Sequence, residues 1–310
     1  MADDQPITRV LVTGAGGFVG RAVVRELVRR GYGVNAVVHR RPVEIEGDVR
    51  SIQASLFDVP ALAEPMRDAQ AVIHLVGIIA EDPKRGQTFQ RIHVETTRCV
   101  LAAAEQAGVR RYVHMSANGV RAGAVSAYHR TKWEAEELVR ASRLKWTIFQ
   151  PSLIHGAGGE FTQMLEDWAR RRRAPYLFMP YFGGGLLGRG GAGMLQTIHV
   201  DDVARAFVDA LGNDRSIGQT YPLGGEQTVS WPQMYRIAAE AFVGRRRLVL
   251  PIPVWYATLL TRILPTRLLP FNRDQVIMSQ EDNSVDLEPF VRDFGWRPEA
   301  FERKLGGLGD

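Results

Sequence analysis

The stretch VLVTGAGGFVG (residues 10–20) constrains this chain more than any other. A β-rich run, ITRVLVT (7–13), enters a cluster of four glycines. From residue 18 to 30, apolar side chains recur at helical spacing, at Val19, Val23 and Leu27 and at Val24 and Val28. A strand, a glycine turn and a helix in this order aim the first amides of the helix at one point. Anions bind there, and a Cβ on the turn would obstruct their approach. Gly14, Gly17 and Gly20 are spaced G-x-x-G-x-x-G rather than G-x-G-x-x-G, with Gly16 as an additional glycine. The expected contacts of a dinucleotide pyrophosphate are the backbones of Gly14, Gly16, Gly17, Phe18, Val19 and Gly20.

The rest of the first half alternates in the same way. Strands are predicted at 32–39, 49–55, 71–77, 110–116 and 146–152, with a long helix over 86–107 and another carrying Tyr128. Several strands are apolar throughout, which calls for a sheet covered on both faces. The expected class is α/β, a Rossmann-type doubly wound parallel sheet with its ligand at the carboxyl ends of the strands. Residues 1–155 are expected to form the dinucleotide-binding lobe. Residues 156–310 form a smaller C-terminal substrate or partner lobe, partly interleaved with the first, the sheet being completed near 196–212. YFGGGLLGRGGAGML (181–195) is predicted to be a mobile loop over the substrate. TIHVDDVARAFVDAL (197–211) reads as strand then helix, capped by Asp201 or Asp202, and SWPQ (230–233) has the form of a capping box.

The tip of the second strand reports on the cofactor. It reads VVHRRP, with His39, Arg40 and Arg41 and no carboxylate before Glu44. An acid there would bond the ribose hydroxyl of NAD(H). Arginine instead pairs with a 2′-phosphate, which favours NADP(H). Two solvent-facing arginines beside a permissive NAD(H) site are the alternative.

SAYHRTK (126–132) places Tyr128 and Lys132 one helical turn apart. A phenol is normally neutral at pH 7. A neighbouring ammonium and a cationic nicotinamide would draw its pKa down toward the working range, so that it exchanges a proton with a substrate oxygen.

TGAGGFVG, AYHRTK and the alternating pattern together resemble an extended or atypical short-chain dehydrogenase/reductase, of the NAD-dependent epimerase/dehydratase kind, over nearly the whole chain. VIHLVGIIAE (72–81), YVHMSANG (112–119), HVDDVARA (199–206) and RDQVIMSQEDNSV (273–285) narrow the resemblance to bacterial relatives of the NADPH-binding accessory subunit of respiratory complex I. The resemblance implies that Tyr128, Lys132 and Ser116 are the catalytic set, with Asn118 an alternative to Ser116 in orienting the substrate. It places Lys132 on the nicotinamide ribose, Ser55 and Leu56 at the adenine, His74 to Gly77 (with Leu75 and Val76 between) along the cofactor, and Pro151, Ser152 and Leu153 by the nicotinamide. Departures from the pattern are His93, where many members have asparagine, and Gln150, where many have arginine. The resemblance implies either an oxidoreductase acting on a carbonyl or hydroxyl substrate, or a non-catalytic NADP(H)-binding accessory or assembly protein.

Composition excludes other classes. One cysteine, Cys99, leaves no internal disulfide and suggests no cysteine-based metal site; a reducing, cytoplasmic location without a signal peptide is expected, with the inner membrane face as a peripheral alternative. The net charge of +5 is local, in Arg40–Arg41, Arg170–Arg173 and Arg245–Arg247, and accompanies no nucleic-acid-binding motif. Residues 251–271 carry Pro265, Arg262 and Arg267 and so cannot span a bilayer. They form an amphipathic helix, folded onto the chain or lying in an anionic membrane interface.

Overall fold

The computed structural model describes residues 6–39, 41–188, 193–263, 269, 271, 276–277 and 279–306. Up to residue 151 the elements are β1 (Arg9–Thr13), α1 (Phe18–Arg29), β2 (Gly33–Val38), β3 (Val49–Gln53), α2 (Val59–Ala63), β4 (Ala71–His74), α3 (Thr96–Gln106), β5 (Arg111–Met115), α4 (Ala127–Ala141) and β6 (Lys145–Pro151). Then follow β7 (Ile154–His155), α5 (Glu160–Ala169), β8 (Met179–Gly183), β9 (Met194–Leu195), β10 (Ile198–His199), α6 (Val200–Asp209) and β11 (Gln219–Leu223). The last are β12 (Val229–Ser230), α7 (Trp231–Val243), β13 (Val249–Pro253), α8 (Val254–Ile263), α9 (Glu288–Phe294) and α10 (Phe301–Gly306).

The chain divides into two compact units. The first comprises Met1–Pro151, Val200–Leu223 and Leu287–Trp296; the second comprises Ser152–His199, Gly224–Asp286 and Arg297–Asp310.

In the first unit, seven strands lie in the order β11-β6-β5-β4-β1-β2-β3, every neighbouring pair parallel. Strand β2 is buried at all six positions, as the apolar run requires when helices cover both faces. Helix α1 buries Val19, Val23 and Leu27 on one stripe, with Gly20 and Val24 beside it. On another face Leu62, Met66, Val100, Leu101 and Val139, from α2 to α4, close over Leu11, Val72, Tyr112 and Ile148 of the sheet. The order reverses at β1, between β2 and β4, so ligand space opens at the carboxyl ends of β1 and β4.

Several expectations are corrected. The seventh strand is β11, not a segment near 196–212; Ile198 and His199 instead pair with Ile154 and His155 in the second unit. Helix α6 begins at Val200, so Asp201 and Asp202 lie in its first turn rather than before it. The run 71–77 leaves the sheet after His74, and the helix expected over 86–107 starts as a π-helical turn, Gln90–Glu95. Within 181–195, Tyr181–Gly183 belongs to β8 and Met194–Leu195 is β9, while 189–192 lie outside the described residues. The capping box at Ser230 and Gln233 forms in full.

Candidate active site

The glycine turn is built as an anion cradle. Gly14 has φ +74°, and a Cβ there would sit 3.3 Å from the carbonyl carbon of Leu75. The Gly17 amide donates to the Gly14 carbonyl at 3.0 Å, closing the turn. A Cβ on Gly20 would overlap that same carbonyl, so α1 starts close to β1 only because Gly20 has none. A Cβ on Gly16 would meet no protein atom within 4 Å; it would project into open space above the turn. Among the described residues no side chain caps Gly17 and no acid occupies the first turn of α1. The early amides of the helix, at Phe18 to Gly20, therefore face outward at the switch point of the sheet, and the set fits an anionic pyrophosphate.

Around this turn the remaining candidates separate. His39 and Arg41 are exposed just past β2, the His39 carbonyl accepting from Gln53 Nε2 at 3.3 Å; Arg40 lies outside the described residues. Ser55 is exposed, its hydroxyl accepting from the Phe57 amide, and Leu56 packs on the core. Leu75 is buried beside β1, its amide donating to the Thr13 carbonyl at 3.2 Å. Pro151 ends β6 and accepts from the Asn118 amide at 2.9 Å. Ser152 and Leu153 open the second unit, where the Leu153 carbonyl accepts from Ile198.

Lys132 is 2% exposed, and its Nζ donates to the Met115 carbonyl at 3.0 Å and the Val76 carbonyl at 3.5 Å. Met115 ends β5 and Val76 lies two residues past the end of β4, so the ammonium is fixed at the carboxyl edge of the sheet. Gly77 makes room for it, since a Cβ there would stand 3.0 Å from Nζ. Burial lowers the Lys132 pKa to about 8, against the opposing field of Glu136 one turn further on.

Tyr128 is half-buried, its ring edge-on to those of His93 (5.3 Å) and Phe89 (5.8 Å). Burial pushes its phenol up to about 12; the lowered value expected from the sequence is that of the site with a cationic nicotinamide beside it. Desolvation is the cause of the upward shift. The Ser116 hydroxyl and the Asn118 side-chain amide nitrogen are buried and, among the described residues, have no hydrogen-bond partner. An unmet buried polar group costs free energy unless a solvent or ligand atom meets it.

The sequence singled out His93 only as a departure; its surroundings went unread. Its Nδ1 lies 2.9 Å from Thr131 Oγ1, and its Nε2 lies 3.2 Å from the Ile78 amide and 3.1 Å from the Ile78 carbonyl. Thr131 also reaches the Ala127 and Tyr128 carbonyls, so His93 ties the chain after Gly77 to the helix that carries Tyr128. His74 bridges Thr13 Oγ1 (2.6 Å) and Thr97 Oγ1 (3.2 Å) beneath this site. Burial and the Lys132 charge hold His74 at about 3 and His93 at about 2, so both are neutral at pH 7. The available sequence signal was Thr131, three residues after Tyr128 and so on its helix face. The π-helical turn that aims His93 leaves no such mark.

The family described as NAD dependent epimerase/dehydratase matches residues 10–224, which spans the glycine turn, Tyr128, Lys132 and all seven strands of the large sheet. The chain belongs to that family. Among curated relatives of this epimerase/dehydratase member, NADH dehydrogenase [ubiquinone] 1 alpha subcomplex subunit 9 of Arabidopsis thaliana is 28% identical, over 91% of the chain and 70% of the relative. Ceramide reductase of Caulobacter vibrioides is also 28% identical, over 79% of the chain and 74% of the relative. The solved structure of MoeE5 in complex with UDP-glucuronic acid and NAD superposes with a TM-score of 0.72 at 23% identity, covering 96% of both chains, which supports the fold.

Proposed function

We propose that this protein is an NADP(H)-dependent oxidoreductase whose substrate proton is exchanged at the Tyr128 hydroxyl. The observation that carries the reading is the Lys132 ammonium, buried and fixed between the Met115 and Val76 carbonyls one turn from Tyr128. When bound, the nicotinamide dinucleotide supplies the hydride donor or acceptor. The backbone from Gly14 to Gly20 holds its pyrophosphate, and Arg40 with Arg41 pairs with a 2′-phosphate. Ser55 and Leu56 flank the adenine; Leu75, Val76, Gly77, Pro151, Ser152 and Leu153 border the nicotinamide half. Ser116 or Asn118 orients the substrate oxygen, for which their unmet polar groups are suited. With a phenol at about 12, Tyr128 is protonated at pH 7 and serves as a proton donor, the reductive direction.

The test needs no substrate. The pH titration of phenolate absorbance, wild type minus Tyr128→Phe, is recorded with and without NADP⁺. A Tyr128 component that moves down from about 12 when the oxidised dinucleotide binds supports the relay; a component that does not move removes it. Arg40→Ala is expected to weaken NADPH binding far more than NADH binding, and equal losses sink the NADP(H) preference.

A second reading is an accessory protein of a respiratory complex that holds the dinucleotide without turning it over. The name of the Arabidopsis relative favours it. A dinucleotide-insensitive phenol in the same titration is the result this reading expects.

A further inference from the structure

The second unit carries an apolar surface that its own core does not use. Among the described residues, every exposed large apolar side chain except Phe57, Ile79 and Val125 belongs to it. Most lie on the β8–β13 ribbon, its ends and α8. Met179 pairs with Val249 and Gly183 with Pro253, so Leu177 and Leu248 flank one end, while residues 184–188 and α8 leave from the other. Trp255 Nε1 donates to the Leu186 carbonyl at 3.1 Å. That bond ties Leu186 and Leu187, 79% and 66% exposed, to the start of α8.

Helix α8 is turned inside out. Its exposed positions are Trp255, Tyr256, Leu259, Arg262 and Ile263, one stripe at helical spacing, and its buried residue is the small Ala257. A surface helix ordinarily buries such a stripe and solvates the opposite face. An apolar stripe left facing outward marks a surface that something covers.

The charge says what covers it. Residues 171–188 and 245–263 contain Arg171, Arg172, Arg173, Arg245, Arg246, Arg247 and Arg262, and no aspartate, glutamate or lysine. Arg172 and Arg246 reach carboxylates outside these segments, on Glu166, Asp167 and Glu240. Trp255 and Tyr256 beside Leu259 and Ile263, with Arg262 on the same stripe and the other arginines in the segments that enter the opposite end of the ribbon, match the headgroup boundary of an anionic bilayer. There the rings sit at headgroup depth and the guanidinium groups reach phosphate. Among the described residues no helix is long and apolar enough to cross a membrane, so α8 would lie in the plane of the interface.

We propose that the β8–β13 ribbon and α8 dock this protein on an anionic lipid bilayer, with Trp255, Tyr256, Leu259 and Ile263 at the acyl boundary and the arginines at the lipid phosphates. The surface extends beyond 251–271 to Leu186 and Leu187, and part of that segment (264–268 and 270) lies outside the described residues. It lies wholly in the second unit and does not rest on the dinucleotide reading.

The test is flotation of the full chain with phosphatidylcholine vesicles, with and without about a third of phosphatidylglycerol. The protein floats with the anionic vesicles and at least tenfold less with the neutral ones. Leu259→Glu reduces flotation on anionic vesicles at least tenfold. A triple Arg171→Gln, Arg173→Gln, Arg245→Gln variant loses the preference for anionic lipid. Leu259, Arg171 and Arg245 are exposed and Arg173 is half-buried beside the Trp168 ring, so circular dichroism melts of the variants stay close to the wild type. Three results overturn the proposal: a chain that stays below the vesicles, equal flotation on both compositions, or flotation that Leu259→Glu leaves unchanged. A dimer in sedimentation that Leu259→Glu dissociates, without vesicle binding, assigns the face to a second copy of the chain instead.

Discussion

Lowering the pH from 7 to 5 is expected to destabilise this protein well before its carboxylates titrate. His74 and His93 are 0% and 1% exposed and are held at about 3 and about 2, against 6.5 in an unfolded chain. Below pH 6.5 the unfolded chain takes up a proton at each that the folded chain refuses. Stability conferred by the neutral imidazoles is thus complete above pH 6.5 and is lost as the pH falls toward the folded values. The loss is about 1.4 kcal/mol per pH unit per histidine, or about 2 kcal/mol each and about 4 together at pH 5. His114, also buried and also lowered, acts in the same direction. Against a net stability of roughly 5–15 kcal/mol this is a large fraction. The carboxylates Glu26 and Asp293 are lowered from 4.5 and 3.8, so their contributions fade only at still lower pH. Urea unfolding followed by circular dichroism at pH 7.5, 6.5, 5.5 and 5 gives the slope directly. The His74→Gln, His93→Asn double variant keeps neutral hydrogen-bonding groups and is expected to lose most of that slope. A wild type that changes by under about 1 kcal/mol across this range would refute the reasoning, as would a double variant with the full slope.

The two glycines of the turn separate binding from folding. Gly16→Ala meets no protein atom, so its melting temperature should stay within about 2 °C of wild type while dinucleotide affinity falls at least about tenfold in a fluorescence titration. Gly20→Ala drives a Cβ into the Gly14 carbonyl and should cost about 2 kcal/mol or more in urea unfolding even without ligand. Arg111, buried in β5, donates to the Ala210 and Lys145 carbonyls and to Thr147 and Ser216. Arg111→Met strands these acceptors and should cost about 2–4 kcal/mol, read from the same denaturant curves; an unchanged midpoint would remove the assigned role.

Local signals determined the architecture of the first unit. A strand, a glycine turn and an amphipathic helix are each written in fewer than about twenty neighbouring residues, and β1, α1, β2 and the helix bearing Tyr128 and Lys132 fall where periodicity and breakers put them. The capping box at Ser230 is likewise complete within four residues. What the sequence by itself did not decide depends on neighbours far along the chain. The seventh strand is set by the register of Gln219–Leu223 against Thr147–Pro151, a pairing no local pattern encodes. The phenol of Tyr128 is held up at about 12 because it is desolvated, with Phe89 and His93 edge-on beside it. Spacing along a helix shows which side chains share a face; the dielectric around them, and the partner each charge finally takes, exist only once the strands and helices have packed.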